Sequence, residues 1–198
     1  MPISSIKTTQ ETGRKVETNL LRLPTFEGDS KLLNIVVETP RGSRTKIKYD
    51  DQLHVFRAEK PLPLGMVFPF AFGFLPSTKA GDGDPLDVLV LSEAELPWGS
   101  IVLGNAIALM ECKQREKGKI ERNDRVIAIP VDGKTRQVMP PHIAFDSRLK
   151  QAIVDFFGKY NELQDKEFHV LGIHGPQKAI EIIKDSMVSA PRKVKRAS

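Results

Sequence analysis

Cysteine is nearly absent from this sequence: among 198 residues Cys112 stands alone. A lone thiol closes no internal disulfide, and His54, His142, His169 and His174 lack the spacing of a metal centre, so a reducing compartment is expected and a zinc site is not. Long hydrophobic runs are missing too. No stretch approaches the ~20 apolar residues of a membrane helix, and no apolar segment of the signal-peptide kind opens the chain, so a cytoplasmic protein without membrane contact is expected. Internal repeats are absent. Charge of one sign is scarce as well: of the net +5, Arg192, Lys193, Lys195 and Arg196 contribute four, leaving the body of the chain close to neutral. A nucleic-acid partner is therefore not expected. The basic excess is assigned to a flexible tail, 191–198, and the polar segment 1–15 is expected to fray. With 40% hydrophobic residues, the stretch 16–190 suffices for one core and one domain.

What the sequence does have is an acidic stretch that runs into an apolar one. Asp82, Asp84 and Asp87 fall within six residues, interleaved with Gly81, Gly83 and Pro85, and lead into Val88, Leu89, Val90 and Leu91. The glycines permit positive φ, Pro85 fixes its own φ, and the apolar run predicts a buried strand, so the carboxylates hang from a stiff loop mouth. Oxygen-only ligands suit a hard cation, Mg²⁺ first with Mn²⁺ as the alternative, held by one or two carboxylates and completed by water and substrate phosphate. Asp, Gly and Pro are also the commonest turn formers, so an ordinary acidic surface turn is the competing reading. An EF-hand is set aside because its sixth position, counted from Asp82, is Asp87 rather than Gly.

Strand patterns cover Val16–Leu23, Leu32–Thr39, Thr45–Asp50, Leu53–Arg57, Asp87–Leu91, Ile101–Met110, Val126–Val131 and Thr135–Met139, with a hairpin turn at Asp132-Gly133. Within the third, Lys46, Lys48 and Asp50 share one face. Phe68, Phe70, Phe72 and Phe74 alternate with period two and predict an aromatic wall on one face of an extended segment. After Pro140 the period turns helical. Leu149, Ile153, Phe156, Phe157 and Tyr160 mark one helix, with Asp146 or Ser147 as N-cap, expected to cover one opening of a barrel. Pro176 to Val188 marks a second, with a stripe through Ala179, Ile180, Ile183 and Met187. Strands first and helices last predict an α+β domain: a small, twisted antiparallel β-barrel, OB-like, with two C-terminal helices.

In this order the chain resembles the soluble family I inorganic pyrophosphatases over roughly Leu32 to Ala190. Asp82, Gly83, Asp84, Pro85, Leu86, Asp87 and Val88 match the family's acidic signature, and the flanking landmarks fall in sequence: Glu38 before a proline, Lys48-Tyr49, Arg57 after Val55, Gly73-Phe74, and the Phe156-Phe157 helix with Tyr160. The resemblance implies that Asp82 and Asp87 hold the activating metal ions, with Glu38 and Asp50 as further metal-side carboxylates, and that Asp84 takes the proton of a metal-bridging water. It implies that Lys48, Arg57, Tyr160 and Arg125 bind phosphate oxygens. It also implies a homo-oligomer, whose contact would suit Trp98 and Ile101, although both equally suit a core.

The departures from the family cluster at the same site. Phe68 and Phe72 stand where the family has tyrosines and keep the ring without the hydroxyl. Asp50 replaces a glutamate, Gln114 and Asn123 replace two metal-binding aspartates, Arg125 a lysine, and Asn161 a lysine. The loop from Lys113 to Arg125 is longer and carries six basic residues against Glu116, Glu121 and Asp124. A shift of register there would bring Asp124 or Glu116 to the site. The expected activity is that of an inorganic diphosphatase, weakened by these replacements. The competing readings are a phosphate- or nucleotide-binding protein with an altered site, and a hydrolase of another phosphate ester.

Overall fold

Asp87 begins a strand whose two faces are both buried, and the rest of the chain winds around it. The computed structural model describes residues 19–116, 118–140 and 143–188. In chain order its elements are β1 (Leu33–Thr39), β2 (Thr45–Asp50), β3 (Val55–Pro61), β4 (Ala71–Phe74), β5 (Asp87–Val90), β6 (Ile101–Glu116), β7 (Lys119–Arg122), β8 (Arg125–Pro130), α1 (Ser147–Glu162), β9 (Glu167–His174) and α2 (Pro176–Ser186). Strands β1, β4, β5, β8 and β6 pair in that order, and β6 pairs back onto β1, so the five close into a ring. The α+β, OB-like arrangement expected from the sequence is the one found. One junction departs from the antiparallel expectation: β5 and β8 run parallel, setting Asp87 opposite Arg125. The 34-residue connection from Leu91 to Asp124, through β6 and β7, makes that possible, since parallel neighbours require a crossover of roughly a dozen residues or more.

The inside of the ring is filled from every strand. Leu33, Ile35 and Val37 of β1 meet Ala71, Val88, Val90, Leu109, Val126 and Ala128, all buried. Ala179 and Ile183 of α2 join this cluster, so α2 rather than α1 closes the barrel. Helix α1 instead covers the outer face, where Ile153 and Phe157 pack on Phe72, Leu89, Ala108, Met110 and Ile127. Alternate residues of Val88–Leu91 thus serve two different cores, which is why that run reads as uninterruptedly apolar. Gly73 marks the tightest approach: a Cβ there would lie 1.9 Å from the Val36 carbonyl oxygen of β1.

Several local expectations give way to specific contacts. The described part of Val16–Leu23 is a 3₁₀ turn at Leu20–Arg22, because the Asn19 side chain accepts the Leu21 N–H at 2.9 Å. Asp132 accepts the Lys134 and Thr135 N–H groups, and Thr135–Met139 forms only a single bridge, Val131 to Val138, instead of a strand. The aromatic wall is split: Phe68, Phe70 and Phe72 lie under α1, while Phe74 packs with Val36 and Tyr49. The charged insert after Lys113 is the β6–β7 hairpin, and β9, which the sequence reading left out, pairs with β6 from Leu109 to Arg115. Asp146 caps α1, accepting the Leu149 N–H at 2.9 Å. Both expected tails lie outside the described residues. No helix among those described is long and apolar enough to cross a membrane.

Candidate active site

A cavity of about 440 Å³ opens between the β2–β3 hairpin, the acidic loop, the β6–β7 hairpin and α1. Its first wall is anionic. The acidic loop is held by its own backbone: Ala80 N–H reaches the Asp84 carbonyl at 2.7 Å, Gly83 N–H the Ala80 carbonyl at 3.1 Å, and Asp82 Oδ1 accepts the Asp84 N–H at 3.1 Å. Gly83 sits at φ +93°, open to glycine and strained for other residues. Glu38 enters from β1, 5% exposed, with Oε1 accepting the Tyr49 N–H at 2.7 Å. Burial, opposed by that hydrogen bond and assisted by the charge of Asp87, pushes Glu38 up to about 7. Asp87 is pushed up to about 6, again by burial first, with Arg125 pulling the other way. Asp82 is also raised, chiefly by burial.

Lysines answer these acids. Lys48 Nζ lies 2.5 Å from Asp84 Oδ2, and Lys46 Nζ lies 3.1 Å from Glu59 Oε2. Burial draws both ammonium groups down, yet their carboxylate partners outweigh it and leave each raised. Two residues of the expected site lie elsewhere. Asp50 spends Oδ1 on the Gln52 and Leu53 N–H groups of its own turn and Oδ2 on Arg57 Nη1 at 2.9 Å, and neither it nor Arg57 lines the cavity. Arg57 is nonetheless the cross-strand partner of Lys48, so it shares that lysine's face of the hairpin.

The second wall carries no comparable run of acids. Arg125 is buried between the rings of Phe157 and Phe168, its guanidinium carbon 4.4 and 4.8 Å from their centroids. Its Nη1 donates to the Asn123 carbonyl at 3.0 Å, its Nε lies 3.9 Å from Asp87 Oδ2, and that Nε has no hydrogen-bond partner. The Tyr160 hydroxyl, stacked against Phe156, is likewise buried without a partner. Asn123 Nδ2 donates to Gln114 Oε1 at 3.2 Å, so the two amides that replace acids engage one another. Phe68, Phe72 and Asn161 all line the cavity, and Asn161 donates to the Phe157 carbonyl at 2.8 Å.

The register shift does not occur at Asp124. Its Oδ1 accepts the Cys112 N–H at 2.9 Å and its Oδ2 pairs with Arg122 at 2.7 Å, outside the cavity. The side chain of Glu116 lies outside the described part. The acid that does reach the cavity from this hairpin is Glu121, directly across from Gln114. Sequence reasoning missed it, together with Lys46 and Glu59. The signal was cross-strand register, which puts paired residues on one face once the turn is known.

The donor set fits a hard divalent ion. Glu38, Asp82, Asp84 and Asp87 offer only oxygen, and the raised acids among them are ones that a cation would relieve. Among the described residues no three His, Cys, Asp or Glu side chains are gathered tightly enough to hold an ion unaided.

Known proteins match the whole of this framework. The sequence profile described as inorganic pyrophosphatase matches residues 35–190. The inorganic pyrophosphatase of Methanosarcina acetivorans is 34% identical over 159 residues, covering 77% of this chain and 89% of that protein. That of Sulfolobus acidocaldarius is 36% identical over 141 residues, covering 69% and 78%. Among solved structures, the inorganic pyrophosphatase of Thermus thermophilus superposes with a TM-score of 0.73 at 30% identity, covering 85% of this chain and 97% of that one. With profile, relatives and fold in agreement over the segment that builds the cavity, the chain belongs to the inorganic pyrophosphatase family.

Proposed function

We propose that this cavity hydrolyses inorganic pyrophosphate to two phosphates, with Mg²⁺ as the working ion and Mn²⁺ as its alternative, and with Asp84 as general base. The observation that carries the reading is the pairing of an all-oxygen acidic wall with a facing wall on which Arg125 and Tyr160 hold buried, unpartnered polar atoms. Asp82, Asp87 and Glu38 would hold the divalent ions, which would make a bound water more acidic and set positive charge against the phosphate oxygens. Asp84, whose side chain is 57% exposed, receives the proton of the attacking water at Oδ2 when Lys48 leaves it for a phosphate oxygen. The new P–O bond forms as the bond to the bridging oxygen breaks, and the electron pair departs with the leaving phosphate. Arg125 and Tyr160 meet the charge that spreads over the phosphoryl oxygens. Arg57 joins them by releasing Asp50.

Phe68 and Phe72 bring no hydroxyl to this reaction, and one missing donor of that kind typically costs about 2.7–4 kcal/mol of transition-state stabilisation. Turnover is therefore expected to be modest. Phosphate release from pyrophosphate by the purified chain, with Mg²⁺ and separately with Mn²⁺, tests the reading beside Asp84→Asn. Release that the variant lacks supports it; release no greater than the variant's with either ion sinks it. A homo-oligomer accompanies the proposal. Trp98 and Ile101 are 57% and 49% exposed, which removes the core alternative and leaves apolar surface for a contact that analytical ultracentrifugation would detect.

A further inference from the structure

The geometry points to a cavity that takes divalent ions on one wall only, with the guanidinium of Arg125 serving on the facing wall as a built-in cation. This deepens the pyrophosphatase reading and rests on it. Four carboxylates, Glu38, Asp82, Asp84 and Asp87, belong to the first wall. On the second, the hairpin brings the amides of Gln114 and Asn123, bonded to each other at 3.2 Å, and the Asn123 carbonyl accepts Arg125 Nη1. Neutral amide oxygens beside a permanent positive charge make a poor seat for another cation. Asp124, the acid between Asn123 and Arg125 in sequence, is turned away to the Cys112 N–H and to Arg122. Glu121 is the one carboxylate that the β6–β7 hairpin brings to the cavity among the described residues, and it is exposed.

Arg125 is built to do an ion's work. Its side chain is only 6% exposed and is clamped between two rings, with Nη1 fixed on a carbonyl and Nε left without a hydrogen-bond partner. A guanidinium is a permanent cation, and this one has an Nε, 3.9 Å from Asp87 Oδ2 and without a hydrogen bond, to offer an oxyanion. Pyrophosphate is accordingly held asymmetrically: one phosphate on the ions of the acid wall, the other on Arg125.

Counting bound Mn²⁺ by electron paramagnetic resonance in the complex with methylenediphosphonate, a non-hydrolysable analogue, tests this without turnover. The count should fall in Asp82→Asn and Asp87→Asn and stay at the wild-type value in Glu121→Gln and in the Gln114→Ala/Asn123→Ala double variant. Arg125→Gln should weaken the analogue about tenfold to hundredfold at saturating Mn²⁺ with the ion count unchanged, and Arg125→Lys should recover part of that affinity. Loss of an ion in Glu121→Gln or in the double variant overturns the proposal, as does undiminished analogue affinity in a folded Arg125→Gln. Phosphate release is read separately: if the binding pattern holds and no phosphate appears, the hydrolase reading fails and the one-walled ion set stands.

Discussion

The two walls of the cavity are held in place by opposite means. The acidic loop is fixed mostly by its own backbone, through hydrogen bonds within residues 80–84, with Asp82 Oδ1 taking the Asp84 N–H, so the carboxylate of Asp84 plays no part in holding the loop. The hairpin wall is fixed by side chains. Arg122 bridges Glu111 and Asp124 at 2.5 and 2.7 Å, His174 meets Glu111 at 2.8 Å, and Asp124 holds the Cys112 N–H. A wall set by backbone tolerates exchange of its functional groups, whereas one set by a charge network loses position when a member is removed.

The sharpest way to draw out that contrast is Asp84→Asn. Its general-base role predicts a fall in kcat of about 10²–10⁴. Its exposed pair with Lys48 predicts a change in stability of no more than about 1 kcal/mol, so the thermal melting curve should barely move.

Next comes the pH dependence of the acid wall. Glu38 and Asp87 have folded values of about 7 and about 6 against 4.5 and 3.8. Because these values are raised, the native chain holds protons that the unfolded chain has released between about pH 4 and 7, and stability falls as pH rises through that window. Each group accounts for on the order of 2–3 kcal/mol. In chelator the chain should melt higher at pH 5 than at pH 8, and Mg²⁺ should recover the difference at pH 8 alone. A melting temperature that rises over that range in chelator would contradict the burial of both acids.

A smaller effect tests the hairpin wall. Asp124→Ala leaves the buried Cys112 N–H without an acceptor, which costs about 1–3 kcal/mol in denaturant unfolding. KM for pyrophosphate should rise roughly tenfold as Asn123 and Arg125 shift, with kcat less affected. An unchanged KM would mean that the network fixes only the fold. Smallest of all is Asp50→Asn. The pair with Arg57 is exposed, so melting should hardly change; a large loss of bound ion would return Asp50 to the metal-binding set.

The same contrast governs what was legible in the sequence. The acid wall could be read because its determinants are local: glycines, Pro85 and alternating aspartates within one loop, followed by a run whose length and apolarity announce a strand. Helices α1 and α2 were legible for the same reason, through cap, proline and stripe. The hairpin wall was not. Whether Asp124 or Glu121 faces the cavity depends on the pairing of Gln114 with Glu121, and a one-residue slip exchanges the faces. The engagement of Asp50 and Arg57 was equally hidden. Sequence places them near Lys48, but their contact with each other, and the turn amides that Asp50 satisfies, is a matter of three dimensions. Strand β9 alternates Phe168 and Val170 with His169 and Leu171, a pattern too short to stand out beside the helix it follows.

The parallel junction, Asp87 opposite Arg125, has a bearing on how the molecule assembles. Its two strands cannot meet until β6 has run its length and β7 has turned back, so this contact closes a longer loop than the neighbouring hairpins and bears a larger entropic penalty. It is also the contact that brings the two walls together. During refolding, competence for turnover should return only after the β4–β5 and β6–β7 hairpins have formed.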